Sequence, residues 1–244
     1  MFRVNGEYWA LFISLCLIIL TAIVLSVFNA YLFVGLAILG LILVKMQQSQ
    51  YLGSTIRVHK NQYPDIYELF SGHAQRLGVH KGSLFIKQDP TLNAFTIGLS
   101  SCSIVLTSAL VEQLNSGELS FVIGHELGHF AAGHTKISTF VSPLGNNNWI
   151  SSLLFGFWQR KTESTADKCG LILTKDIDAG ITSLIKLTVG GKLFEKLNIK
   201  GYLGQLQTAD TSSVNFSQIL SDHPFTTTRI KNLLLFWRES FSKT

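Results

Sequence analysis

His125-Glu126-Leu127-Gly128-His129 places two imidazoles and a carboxylate within five residues. Histidines four apart fall on one face of a helix, so both rings can reach a single Zn2+. The glutamate between them can then act as general base toward a water that the metal activates. At about 100° per residue, Glu126 falls between Val122, Leu119 and Phe130. A carboxylate among such neighbours is costly unless something compensates it. A helix built only for packing would carry an apolar residue there.

A catalytic zinc takes three protein ligands and keeps one position open. His134 lies about 140° round the same helical wheel from His129 and could share the metal only by breaking the helix. The extended HExxHxxGxxH pattern fails too, with Ala132 and Thr135 where its Gly and last His belong. Glu163 is the best candidate for the third ligand. Glu163 and Asp167 stand at i and i+4 on one helical face, with Ala166 and Gly170 small enough to admit a second helix closely. Glu163 would ligate zinc, while Asp167 would accept the other ring N–H of a liganding histidine and fix its tautomer. His223, which heads a His-Pro pair followed by Arg229, offers further donors that could face the oxyanion of a tetrahedral intermediate. His59, His73 and His80 sit in polar or helix-end stretches and read as ordinary surface histidines.

These residues need elements to hold them. Ser116 is a candidate N-cap for a helix running to about His134, and a second helix is predicted from about Arg160 to Leu173. Ahead of them, Ile66, Leu69, Phe70, Ala74 and Leu77 recur at helical spacing after Tyr63-Pro64-Asp65. Ser83–Lys87, Asn93–Ile97 and Cys102–Thr107 read as short strands, and Ser108–Leu114 as a helix. Further helix is expected within 176–197 and 225–240. The fold class is therefore α+β, mostly helical with a small sheet.

The chain of 244 residues is 47% hydrophobic and only 14% charged, with a mean hydropathy of +0.31, against about 25% charged in soluble domains. The excess is concentrated, since no charged residue occurs between Glu7 and Lys45. As one helix that run would be roughly 55 Å long, against a hydrocarbon core of about 30 Å. A hairpin uses it better, with spans at about 8–27 and 30–46, a turn near Asn29, and Tyr8, Trp9, Tyr31 and Phe33 near the interfaces. Arg3 flanks one end and Lys45, Arg57 and Lys60 follow the other, which places both ends and the following domain in the cytoplasm. One span followed by an interfacial helix would put that domain on the other side. A cleaved signal peptide is disfavoured because its apolar region is only about 7–15 residues. The expected division is residues 1–46 as hairpin, 47–62 as juxtamembrane linker and 63–244 as the domain that carries the zinc site. Three cysteines without a CxxC pair argue against a disulfide framework. A net charge of +5 without a Lys/Arg block gives no case for nucleic acid.

Taken together, the chain resembles the membrane-bound gluzincin metalloproteases of the HtpX-like and CAAX-prenyl-protease-like family. The resemblance is carried by Asn93-Ala94-Phe95, Ile104–Leu114, Glu118–His129, Glu163-x-x-Ala166-Asp167 and His223-Pro224 with Arg229-Ile230. It implies one zinc held by His125, His129 and Glu163, with Glu126 catalytic. It also implies an edge strand near Asn93–Thr96, with Asn93, Ala94 and Phe95 as substrate-binding residues, that takes an extended peptide by strand addition. His223 and Arg229 would lie near the site, Arg229 holding Glu163 or Asp167 and His223 supporting the oxyanion. The chain departs from that family between Phe130 and Thr162, where in place of a second hydrophobic hairpin it holds only Ile137–Val141 and the ten residues Trp149–Trp158. Ten are too few to span and suit a re-entrant or interfacial segment. Two spans also provide no large membrane chamber, which disfavours prenyl-protein processing. The expectation is a zinc endopeptidase of the inner cell membrane that cleaves misfolded or membrane-associated proteins in quality control. The alternatives are a catalytically silent scaffold with a structural zinc and a metal-dependent amidase for a small molecule.

Overall fold

The structure, a computed structural model, describes residues 6–26, 30–141, 149–199, 201, 202, 204 and 225–241. Two apolar helices come first, α1 (Glu7–Ser26) and α2 (Ala30–Ser54). By length and composition α1 can cross a membrane, and only 17% of its Glu7–Val24 stretch is buried, unlike the core helix of a soluble protein. The apolar stretch of α2 is shorter, Val34–Leu43. Trp9, Phe12, Leu20, Ile23, Tyr31 and Leu32 project outward from the two helices. The second helix does not end at Met46 as the hydropathy suggested but runs on to Ser54. Gln47-Gln48-Ser49-Gln50 is polar, but no proline interrupts the helix there, so the backbone continues. The stretch read as linker also holds a strand, β1 (Ile56–Val58).

After α3 (Pro64–Arg76) come β2 (Gly82–Lys87), β3 (Ala94–Ile97) and β4 (Cys102–Thr107). The sheet order is β1-β2-β4-β3. β2 and β4 run parallel, pairing Leu84 with Ile104, while β1 and β3 are antiparallel to their neighbours. β3 is thus an edge strand. Leu84, Ile86, Ile104 and Leu106 turn one face of the sheet into the main core, against Phe70, Leu119 and Val122. On the other side, Tyr51 of α2 packs its ring against Phe95, with centroids 5.2 Å apart.

Next follow α4 (Ser108–Gln113), α5 (Ser116–Ala131) and α6 (His134–Val141). The N-cap of α5 is Asn115, one residue earlier than expected. Its side chain accepts from the Glu118 N–H at 2.9 Å, and the Glu118 carboxylate accepts from the Asn115 N–H at 2.9 Å. Glu118 is itself buried and salt-bridged to Lys186 at 2.8 Å, which ties α5 to α8 (Ile177–Val189). The apolar stretch from Trp149 and the helix bearing Glu163 are one continuous 26-residue element, α7 (Trp149–Thr174). No glycine or proline separates Trp158 from Thr162, so nothing stops the helix there. A short α9 (Gly191–Phe194) and α10 (Thr226–Ser240) complete the described elements. His73, expected on the surface, is 7% exposed and lies 2.7 Å from Ser120 Oγ. It sits on the core-facing side of α3, and burial lowers its pKa.

Candidate metal centre

The centre lies where α5 crosses α7, and the crossing depends on missing side chains. A Cβ on Gly128 would come 2.7 Å from Cys169 Cβ, and one on Gly170 would come 2.8 Å from the Phe121 carbonyl. Glycine at these places lets the two backbones approach until residues of both helices share one point. There His125 Nε2 and His129 Nε2 are 3.1 Å apart. Glu163 stands 3.6 Å from the first through Oε2 and 3.4 Å from the second through Oε1. One ligand atom from each of the three lies within 4.8 Å of the others. A tetrahedral zinc with bonds of about 2.0–2.1 Å has edges of about 3.3 Å, which these separations bracket.

The donor chemistry fits a cation as well. His125 Nδ1 lies 2.9 Å from Asp167 Oδ1, so its N–H is spent on the carboxylate and its Nε2 lone pair faces inward. Arg229 of α10 forks Asp167, donating from Nε at 2.8 Å and from the terminal nitrogen at 2.6 Å. It also stands 3.4 Å from Glu163 Oε2. Burial alone would raise both carboxyl pKa values. The Arg229 charge outweighs burial, so Asp167 is lowered and Glu163 lies well below the ordinary carboxylate range. Burial likewise opposes charge on His129, but the Glu163 carboxylate prevails and raises its pKa. Two imidazoles and an ionised carboxylate thus converge on a point that calls for positive charge. Three protein donors would leave a fourth position open on a tetrahedral ion, as a catalytic rather than a structural site requires.

Glu126 is 7% exposed, and the cost anticipated from its apolar surroundings is met from the sheet. Thr96 Oγ1 donates to Glu126 Oε2 at 2.7 Å and lies 3.0 Å from the Glu126 carbonyl. Thr96 lies at the end of the strand expected to bind substrate, but no role toward Glu126 was foreseen for it from the sequence. The signal available was a hydroxyl at alternate spacing from Ala94 on a strand expected beside the site. Ala94 and Phe95 lie in β3, and Asn93 immediately precedes it. The Thr107 N–H donates to Asn93 O at 3.0 Å, which makes Asn93 and Thr107 a hydrogen-bonded pair. By the antiparallel alternation, the main-chain groups of Ala94 and Thr96 then face away from β4, toward the open edge.

Five of the proposed site residues, His125, Glu126, His129, Glu163 and Asp167, therefore meet at the α5–α7 crossing, with Arg229 on them and Ala94 and Phe95 on the neighbouring strand. His223 lies outside the described residues. His134 does not extend α5. The helix ends at Ala131, and Gly133 at φ 80° turns the chain so that His134 begins α6. Its Nδ1 comes to rest 3.1 Å from His129 Nδ1, on the ring edge away from Glu163. The cysteines are unpaired, and Cys102, buried and close to the Glu126 charge, has its thiol pushed up to about 12.

Comparison with known proteins adds to this geometry. Peptidase family M48 matches over residues 60–150 and 144–235, from α3 through most of α10. The chain is 29% identical to a plastoglobule-localized metallopeptidase 48 of Arabidopsis thaliana over 194 residues, 73% of this chain and 56% of that protein. It is 30% identical to a protease HtpX homolog of Streptococcus pyogenes over 107 residues, 43% of this chain and 36% of that protein. A protease HtpX homolog of Sulfurisphaera tokodaii is 30% identical over 135 residues, 54% of this chain and 40% of that protein. The chain thus spans about half the length of these relatives or less.

Proposed function

The chain belongs to peptidase family M48, and from that premise we propose that it is a membrane-anchored zinc endopeptidase. It acts on extended segments of misfolded or membrane-associated proteins, in the quality control of membrane proteins. The observation that carries this reading is the convergence of His125, His129 and Glu163 beside a buried Glu126 that an edge strand holds. When bound by His125, His129 and Glu163, one zinc ion supplies Lewis-acid polarisation of the scissile carbonyl and makes water acidic enough to attack it.

Glu126 accepts the proton of that water on its carboxylate and passes it to the leaving amine. Thr96 keeps the Glu126 side chain aimed, through the bond to Oε2. Asp167 and Arg229 hold His125 and Glu163 in register. His223 supplies a donor to the oxyanion. The substrate lies along β3 at Asn93, Ala94 and Phe95, hydrogen-bonded to the outward main-chain groups of Ala94 and Thr96. The Thr96 side chain turns to Glu126 from the same residue, so an added strand passes next to the general base.

In the same reading α1 and α2 form the transmembrane hairpin, residues 63–244 are the protease domain on the cytoplasmic side of the inner membrane, and the apolar start of α7 enters the bilayer surface. The exposed apolar surface of α1 and the packing of Ala10 on Trp158 support this arrangement.

The decisive experiment compares the full chain with Glu126→Gln in detergent micelles. The variant should retain one zinc per chain and lose casein hydrolysis by more than about 1,000-fold, a loss of about 4 kcal/mol in transition-state stabilisation. Hydrolysis by Glu126→Gln at the wild-type rate would refute the mechanism. A reporter fused after Thr244 tests the topology, and a non-cytoplasmic signal would overturn the hairpin.

A further inference from the structure

The N-terminal end of α1 carries a carboxylate, Glu7, that is only 4% exposed although the helix around it is apolar. A buried carboxylate needs hydrogen-bond partners, and Glu7 finds them across the molecule. Its Oε2 accepts the Thr165 hydroxyl at 2.5 Å, from the turn of α7 that also bears Glu163. Its Oε1 lies 3.0 Å from His134 Nε2. His134 is 2% exposed, its ring edge-on to that of Trp158 with centroids 6.2 Å apart, and its Nδ1 is 3.1 Å from His129 Nδ1.

The hydrogen positions follow along this chain of contacts. An ionised carboxylate only accepts, so His134 must carry its proton on Nε2. A neutral His134 then has a lone pair on Nδ1, which can accept only from a proton on His129 Nδ1. That leaves His129 Nε2 with its lone pair directed at His125 Nε2 and Glu163. His125 reaches the same state more directly, through Asp167. Each of the two histidines is thus set by a carboxylate, one in direct contact and the other through an intervening imidazole.

We infer that Glu7 and His134 are positioning residues for the metal centre, the carboxylate on the apolar N-terminal helix fixing through His134 the tautomer and aim of His129. This rests on the reading that His125, His129 and Glu163 hold the metal. The first helix is then a part of the site as well as its tether.

The test uses the full chain in detergent micelles. Zinc dissociation constants are measured by competition with a chromogenic chelator for wild type, Glu7→Leu, His134→Leu and, as a packing control on the same helix, Leu11→Ala. Both Glu7→Leu and His134→Leu should weaken zinc binding about 10- to 100-fold, and Leu11→Ala should stay within about twofold of wild type. Long-range 1H–15N correlation spectra of zinc-loaded wild type, labelled at histidine nitrogens, should show His134 protonated on Nε2 and His129 on Nδ1. This second measurement stands even if a variant fails to fold. Unchanged affinity in a folded Glu7→Leu, an equal loss in Leu11→Ala, or His134 protonated on Nδ1 would overturn the inference while leaving the metal site intact. A wild-type chain that takes up no zinc would overturn the metal reading and this inference with it.

Discussion

Replacing Gly128 by Ala adds one methyl group between the two helices that build the site. The new Cβ would stand 2.7 Å from Cys169 Cβ, 3.1 Å from Cys169 Sγ and 3.3 Å from Ala166 Cα. Carbon contacts settle at about 3.5–4.0 Å, so α5 and α7 must part by roughly 0.8–1.3 Å. Cys169 Cβ is fixed to its backbone and cannot rotate away. Overpacking of this kind costs up to about 3 kcal/mol, and the gain of alanine over glycine in a helix returns about 1 kcal/mol. The net loss of about 2 kcal/mol should lower the thermal midpoint by about 4–8 °C for a chain of this size. The same parting lengthens the separations from Glu163 to His125 and His129, now 3.6 and 3.4 Å. A misplacement near 1 Å can cost about 100-fold in rate. Gly72→Ala is the matched control, because its Cβ meets nothing within 4 Å. There the helix gain should appear alone, as about 0.5–1 kcal/mol of stabilisation. The assays are circular dichroism melting with and without zinc, and casein hydrolysis. A Gly128→Ala chain that melts at or above the wild-type temperature with undiminished hydrolysis would refute the close-approach argument.

Thr96→Val keeps a β-branched strand residue but removes the donor to Glu126 Oε2. A hydrogen bond to a charged group is worth about 1.5–3 kcal/mol, so hydrolysis should fall about 10- to 100-fold with zinc content unchanged. Arg229→Ala strands the Asp167 and Glu163 carboxylates in the interior and should destabilise by about 3–5 kcal/mol, measured as a loss of thermal midpoint. Arg229→Lys should recover only part of this, because an ammonium cannot fork Asp167. Away from the centre, hydrogen bonds from Thr91 and Lys87 hold Asp89 at a pKa of about 2. That value lies below the ordinary aspartate pKa, so the contribution to stability is full above about pH 4 and fades as pH falls toward 2. Thr91→Ala should move the Asp89 titration upward in carboxyl NMR, and an unmoved midpoint would count against the bonds at Thr91.

The chemistry was more legible than the architecture around it. The i, i+4 spacing places His125 and His129 on one helix face whatever the tertiary fold, and Ala166 and Gly170 advertise a close crossing before any contact is known. The three strands around Leu84, Phe95 and Val105 were likewise plain as short runs rich in β-branched and aromatic residues. Hydropathy misled where it was taken as a sign of backbone state. It ended α2 at Met46 and divided α7 at Trp158, although a helix can leave an apolar environment without a break in its hydrogen bonds. His134 was set aside because the wheel assumed a straight helix, and Gly133 is the residue that ends it. Glu7 looked like the polar boundary of an apolar run. Its partners, His134 and Thr165, are more than a hundred residues away, and no local pattern reports such a contact.

If substrates add to β3 as proposed, its open edge decides which clients are cut. Ala94 and Thr96 turn their main-chain groups to that edge, and such groups bind any sequence that can lie flat beside them. Discrimination therefore passes from what a client's side chains are to how often its backbone lies free. A segment held in a native helix or sheet is spared, and a frayed one is exposed to cleavage. Where reclosing is fast, the rate follows the population of the opened form, and each 1.4 kcal/mol of local opening free energy shifts it about tenfold. Under the proposed function, such an edge would make the chain a gauge of its neighbours' conformational stability, read out as peptide-bond cleavage.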